Sequence, residues 1–114
     1  MKANELRVNN WCQSPYEEEP FKIKAEHILQ LEQGMDELSI LGIPLTPEIL
    51  VKAGFRQSIS NEKVYVLKIG ENNLMLKNDV AWFYWAGLSY PFKYLHQLQN
   101  LVYAIHGEEL AIQL

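Results

Sequence analysis

A chain of 114 residues that is 48% hydrophobic fits one domain able to bury roughly two-thirds of the surface its unfolded form exposes, without help from a metal or a disulfide. Its net charge of −4 sets a field that repels polyanions on average, so nucleic acid is not the partner expected. The single Cys12 has no disulfide partner, no apolar run approaches the ~20 residues of a membrane span, and Met1 to Glu5 lack the apolar core of a signal peptide, so a cytoplasmic protein without membrane contact is predicted.

Taken in chain order, Glu5 to Gln13 predicts a first strand in which Leu6 and Val8 alternate with Glu5 and Arg7 until Asn9-Asn10, a turn or bulge. Ser14-Pro15-Tyr16-Glu17-Glu18-Glu19-Pro20 places three acids between two prolines and reads as a solvated loop rather than an acidic site. Phe21 to Ala25 alternates as a second strand. Ala25, Ile28 and Leu29 then stand at helical spacing, so Glu26 to Gln33 is ambiguous and compatible with a turn or two of helix ended by Gly34. Met35 to Leu41 predicts a strand that closes a β-rich N-terminal unit, residues 1–42.

The second unit, residues 43–114, opens on the clearest local signals. Thr46 suits the N-cap, Pro47 the first helical position and Glu48 the positive end of the dipole, while Gly54 ends the helix and Leu45 and Leu50 occupy hydrophobic-staple positions. Lys63 to Ile69, Leu74 to Lys77 and Val80 to Leu88 predict a three-stranded meander, with the last strand apolar or aromatic on both faces and in want of cover on both. After Pro91 a long helix to His106 is predicted, with Leu95, Leu98, Leu101, Val102 and Ile105 in one apolar stripe and Gly107 as the stop. Leu110, Ile112 and Leu114 alternate with Ala111 and Gln113 as a final strand. The whole reads as a single α+β domain: a small β-rich N-terminal part followed by a helix–three-strand–helix–strand part.

No motif signals chemistry. Cys12, His27, His96 and His106 lack metal-ligand spacing, and no cofactor is implied. Cys12 has no flanking nucleophile signature, and Glu108-Glu109 would point to opposite faces of a strand, so a non-enzymatic protein is expected. The candidate partner surface is the polar side of the long helix, His96, Gln99, Asn100 and Tyr103, whose imidazole, amides and phenol offer directed hydrogen bonds; the alternative is polar packing against the N-terminal unit. Trp82, Tyr84 and Trp85 form a secondary candidate: core or a self-association face that would make a homo-oligomer, with base stacking as the rival use.

The opening Met1-Lys2-Ala3-Asn4-Glu5-Leu6-Arg7-Val8, the central Ile43-Pro44-Leu45-Thr46-Pro47-Glu48-Ile49-Leu50 with Gly54-Phe55, and the closing Leu95-His96-Gln97-Leu98-Gln99-Asn100-Leu101 with Gly107-Glu108-Glu109-Leu110 resemble a family of small uncharacterised proteins of Bacteroides-type bacteria, often found in phage-like or other mobile-element neighbourhoods. The sequence departs from that pattern at Asn9-Asn10-Trp11, where such openings usually carry a Gly-Asn pair, and in a compressed loop from Gln13 to Pro20. The resemblance implies a bacterial, cytoplasmic accessory protein acting through an unknown protein partner, and carries over no catalytic residue.

Overall fold

In a computed structural model describing residues 1–34, 40–70, 72–77, 82–85, 88–91 and 93–114, the chain is an α+β protein with three helices and eight strands among the described residues. After a 3-10 turn at Ala3–Glu5 come β1 (Trp11–Gln13), β2 (Phe21–Lys22), α1 (Ala25–Glu32) and β3 (Leu41–Gly42). There follow α2 (Pro47–Lys52), β4 (Arg56–Gln57), β5 (Val64–Ile69), β6 (Asn72–Lys77), β7 (Trp82–Trp85), β8 (Leu88–Pro91) and α3 (Leu95–His106). The strands form two antiparallel sheets, β2-β1-β3 and β4-β5-β6-β7-β8. No helix of the described residues is long and apolar enough to cross a membrane.

β1 joins two cores because its side chains alternate. Trp11 belongs to the larger cluster and Cys12, one residue on, to a smaller one with Leu6, Ile23, Leu31 and Ile40. In the larger cluster Leu50 of α2, Ala53 just after it, and Leu95, Leu98 and Val102 of α3 pack on Tyr65, Ile69, Leu74 and Leu76 of the five-stranded sheet. Two cores side by side give an elongated body, 46 × 27 × 23 Å.

Local signals are obeyed where they were strongest. The Thr46 hydroxyl accepts from the Ile49 N–H at 3.3 Å, Leu50 of the staple is fully buried, and Gly54 at φ +96° follows the helix. On α3, Gln97 Oε1 turns back to accept from the N–H groups of Lys93 and Tyr94 at 2.9 and 3.0 Å, two donors the helix cannot satisfy itself. Gly107 at φ +77° closes it.

Elsewhere the structure corrects the expectation. The strand predicted from Glu5 contracts to Trp11–Gln13 because the 3-10 turn and a turn at Asn9, φ +77°, interrupt the alternation. The ambiguous stretch is α1, two turns long. The strand predicted over Met35 to Leu41 falls mostly outside the described residues; only Leu41 of it lies in β3. The single strand predicted from Val80 to Leu88 is two, since Trp85 pairs with Leu88 and Trp82 with Pro91. Arg56–Gln57 adds a fifth, edge strand beside β5. The final strand is absent among the described residues: Leu110 is buried and Ala111 exposed as its alternation requires, but the segment joins no ladder.

Antiparallel bonds at Leu45 N–H to Lys93 O and Leu95 N–H to Ile43 O, both 2.9 Å, tie the start of the second unit to the start of α3. The crossing is close: a Cβ on Gly42 would lie 2.6 and 2.7 Å from ring carbons of Tyr94. Gly42→Ala is therefore expected to force Tyr94 aside and lower stability by about 1–3 kcal/mol, as overpacking does. Thermal melting of the variant measures it, and an unchanged midpoint would show that Tyr94 moves freely.

Candidate functional site

The polar side of α3 is an internal seam. Gln99, 2% exposed, accepts from the Trp11 N–H at 2.8 Å through Oε1 and donates from Nε2 to the Asn9 carbonyl at 3.2 Å. Asn100 Oδ1 accepts from Asn10 Nδ2 at 2.8 Å and Arg7 Nε at 3.0 Å, and its Nδ2 donates to the Glu5 carbonyl at 3.2 Å. The Arg7 guanidinium also reaches both Glu109 oxygens, at 2.5 and 3.3 Å, and the Gln99 carbonyl, and lies 4.2 Å from the Tyr103 ring centroid. The turn that shortens β1 leaves backbone groups without ladder partners, and α3 amides supply them. The partner-surface expectation is thus corrected in favour of its alternative, polar packing against the N-terminal unit: His96 and Gln99 are buried, Asn100 is half-buried, and of the four only Tyr103 is exposed, under Arg7.

His96 is 3% exposed, stacked on Tyr94 with centroids 5.8 Å apart, and its Nδ1 has no hydrogen-bond partner. Burial pushes its pKa below the ordinary 6.5, opposed by the Glu5 carboxylate. The folded form therefore binds fewer protons than the unfolded chain, and the stability that His96 contributes is complete above pH 6.5 and lost as pH falls through the lower folded value. Unfolding free energy should drop on acidification across that window and drop less in His96→Phe; equal slopes would mean that His96 does not titrate in the fold.

The other sequence candidates for chemistry separate in space. Cys12 is fully buried and desolvation pushes its thiol to about 12, the N-terminal charge opposing, so it is no nucleophile at neutral pH. His27 Nδ1 accepts from the Lys24 N–H at the start of α1, His106 lies 3.4 Å from Glu108, and the described residues hold no cluster of metal-binding side chains.

Among the described residues, no helix covers the second face of the five-stranded sheet. Tyr65, Leu74 and Leu76 enter the core, whereas Val64 and Val66 are half-buried and Lys68, Met75 and Lys77 exposed on the other side. Register lines up Arg56 with Val66 and Val66 with Met75, and puts Tyr84 opposite Met75 and Trp82 opposite Lys77. A cleft of about 540 Å³ opens along the β4 edge, lined by Arg56, Val66, Lys68 and the fully exposed Ile59 among others. No family model, curated protein or solved structure matches this chain. Arg56 was missed because it joins this face only through β4, an edge strand of two residues whose pairing is non-local, whereas Lys68 and Lys77 lie in strands that the sequence predicts.

Proposed function

We propose that this chain is a non-enzymatic, cytoplasmic accessory protein of the mobile-element kind its sequence resembles, and that it acts by docking a protein on the open face of the five-stranded sheet. The observation that carries this reading is the one-sided cover of that sheet among the described residues: α2 and α3 bury Tyr65, Leu74 and Leu76, while Val64, Val66 and Met75 form an apolar strip edged by Arg56, Lys68 and Lys77. Apolar centres rimmed by charge are the usual anatomy of a protein interface. Cytoplasmic residence rests on the buried free thiol of Cys12, with no disulfide framework around it. A photo-crosslinking side chain in place of Met75 is expected to trap a discrete adduct, while the same group in place of Val51, 61% exposed on α2, traps none. Equal labelling from both positions would remove the sheet face as the docking surface.

A second reading is favoured by one observation, the register that aligns Trp82 and Tyr84 with Lys77 and Met75 on a sheet bearing Arg56 and Lys68. Aromatic strands beside cations can stack single-stranded bases. Three cations would give a salt slope of only about 2 for a single strand, and the net charge of −4 opposes approach. Fluorescence anisotropy with labelled single strands should show no appreciable binding at physiological salt. Tight, steeply salt-dependent binding abolished by Lys68→Ala would install the nucleic-acid reading instead.

A further inference from the structure

We propose that the sheet face of one molecule receives the Ser14–Pro20 turn of a second copy of this chain, with Tyr16 entering the cleft beside β4 and Glu17 to Glu19 meeting Arg56 and Lys68. The inference rests on the sheet-face reading and names its occupant.

Charge is divided unevenly along the chain. Residues 1–42 carry four basic and eight acidic side chains, residues 43–114 six of each, so the whole net charge of −4 belongs to the first unit. Three of those acids, Glu17, Glu18 and Glu19, stand together and exposed on one turn. Among the described residues no acid pairs with Arg56 or Lys68, and no acid lines the cleft. Among the described residues, each surface therefore lacks within its own chain the charge that the other presents.

Shape agrees with charge. The turn is braced by a Glu17 N–H to Ser14 O bond of 3.3 Å and a Tyr16 N–H to Ser14 Oγ bond of 3.1 Å, with Pro15 and Pro20 restricting its ends. Little order has to be imposed on it by binding. Tyr16 stands 82% exposed, a large ring held in water, and Ile59 and Val66 provide an apolar wall in the cleft that could cover it. Tyr is well suited to this use, with much contact area and few torsions. Because both surfaces lie on every copy, a two-fold dimer would make the contact twice.

Sedimentation velocity on the full chain tests the idea. Wild type is expected to move toward twice the monomer mass as concentration rises, and to dissociate as salt goes from about 50 to about 500 mM. Arg56→Glu/Lys68→Glu should weaken association about tenfold or more, and so should Glu17→Lys/Glu18→Lys/Glu19→Lys. An equimolar mixture of the two variants should restore it, since each reversed surface then meets its reversed partner. Melting curves check that each variant is folded, and Arg56→Gln/Lys68→Gln repeats the measurement if charge reversal disturbs the sheet. A wild type monomeric at every concentration overturns the proposal, as does a dimer indifferent to both reversals. A dimer that responds to the face reversal but not to the turn reversal, with no rescue on mixing, overturns the occupant and leaves the sheet-face reading standing.

Discussion

Leu98→Ala is expected to lower unfolding free energy by about 2–5 kcal/mol and the melting midpoint by roughly 10 °C or more. Leu98 has no exposed surface and sits in the middle of the α3 stripe, between Leu95 and Val102, which share its core with Leu50 of α2 and Leu74 and Leu76 of the sheet. Truncation removes three carbons' worth of burial and leaves a cavity among groups fixed by two helices and a sheet, so little collapse can offset it. Leu101, half-buried on the margin of the same cluster, should lose less on the same change. Thermal or urea denaturation of the two variants checks the order. Equal small losses would mean that the stripe is not what holds α3 to the sheet.

That stripe and the α2 signals were legible because their physics is local. A cap, a proline at the first helical position, a terminating glycine and a 3.6-residue period act within one or two turns, and Thr46, Pro47, Gly54 and Gly107 stand in the structure as their types demand. The strands that escaped are those whose pairing partner is the only signal. Arg56–Gln57 becomes β4 through Val66 and Tyr65, and the Val80 to Leu88 run becomes two strands because Trp85 pairs with Leu88 and Trp82 with Pro91. Alternation at Leu110, Ile112 and Leu114 misled for the converse reason: an extended chain laid on a core buries every second residue whether or not its backbone finds a ladder. The polar seam was legible only as packing of the α3 polar side against the N-terminal unit, without the groups that meet there. Arg7 meets Glu109 and Asn100 across most of the chain's length, and no spacing in the sequence announces such a contact.

The largest expected effect in that seam belongs to Gln99→Leu. Leucine nearly matches the shape but can neither accept from the Trp11 N–H nor donate to the Asn9 carbonyl, contacts of 2.8 and 3.2 Å at a side chain only 2% exposed. The Trp11 N–H, stranded away from water, costs about 1–3 kcal/mol, whereas the carbonyl of exposed Asn9 can turn to solvent, so a total of about 1–3 kcal/mol is expected, less whatever the added apolar contact returns. Gln99→Glu separates the two bonds, since a carboxylate still accepts from Trp11 but no longer donates to Asn9. Hydrogen exchange at the Trp11 amide should accelerate strongly in the leucine variant and much less in the glutamate one, while amides of β5 and β6, which lie in the other sheet, follow only the global stability change. If Gln99→Leu melts like the parent and the Trp11 amide stays protected, the seam does not hold the first unit to α3. The polar side of that helix, with Asn100 and Tyr103, would then return as a surface free to meet a partner, and the open sheet would lose its standing as the favoured one.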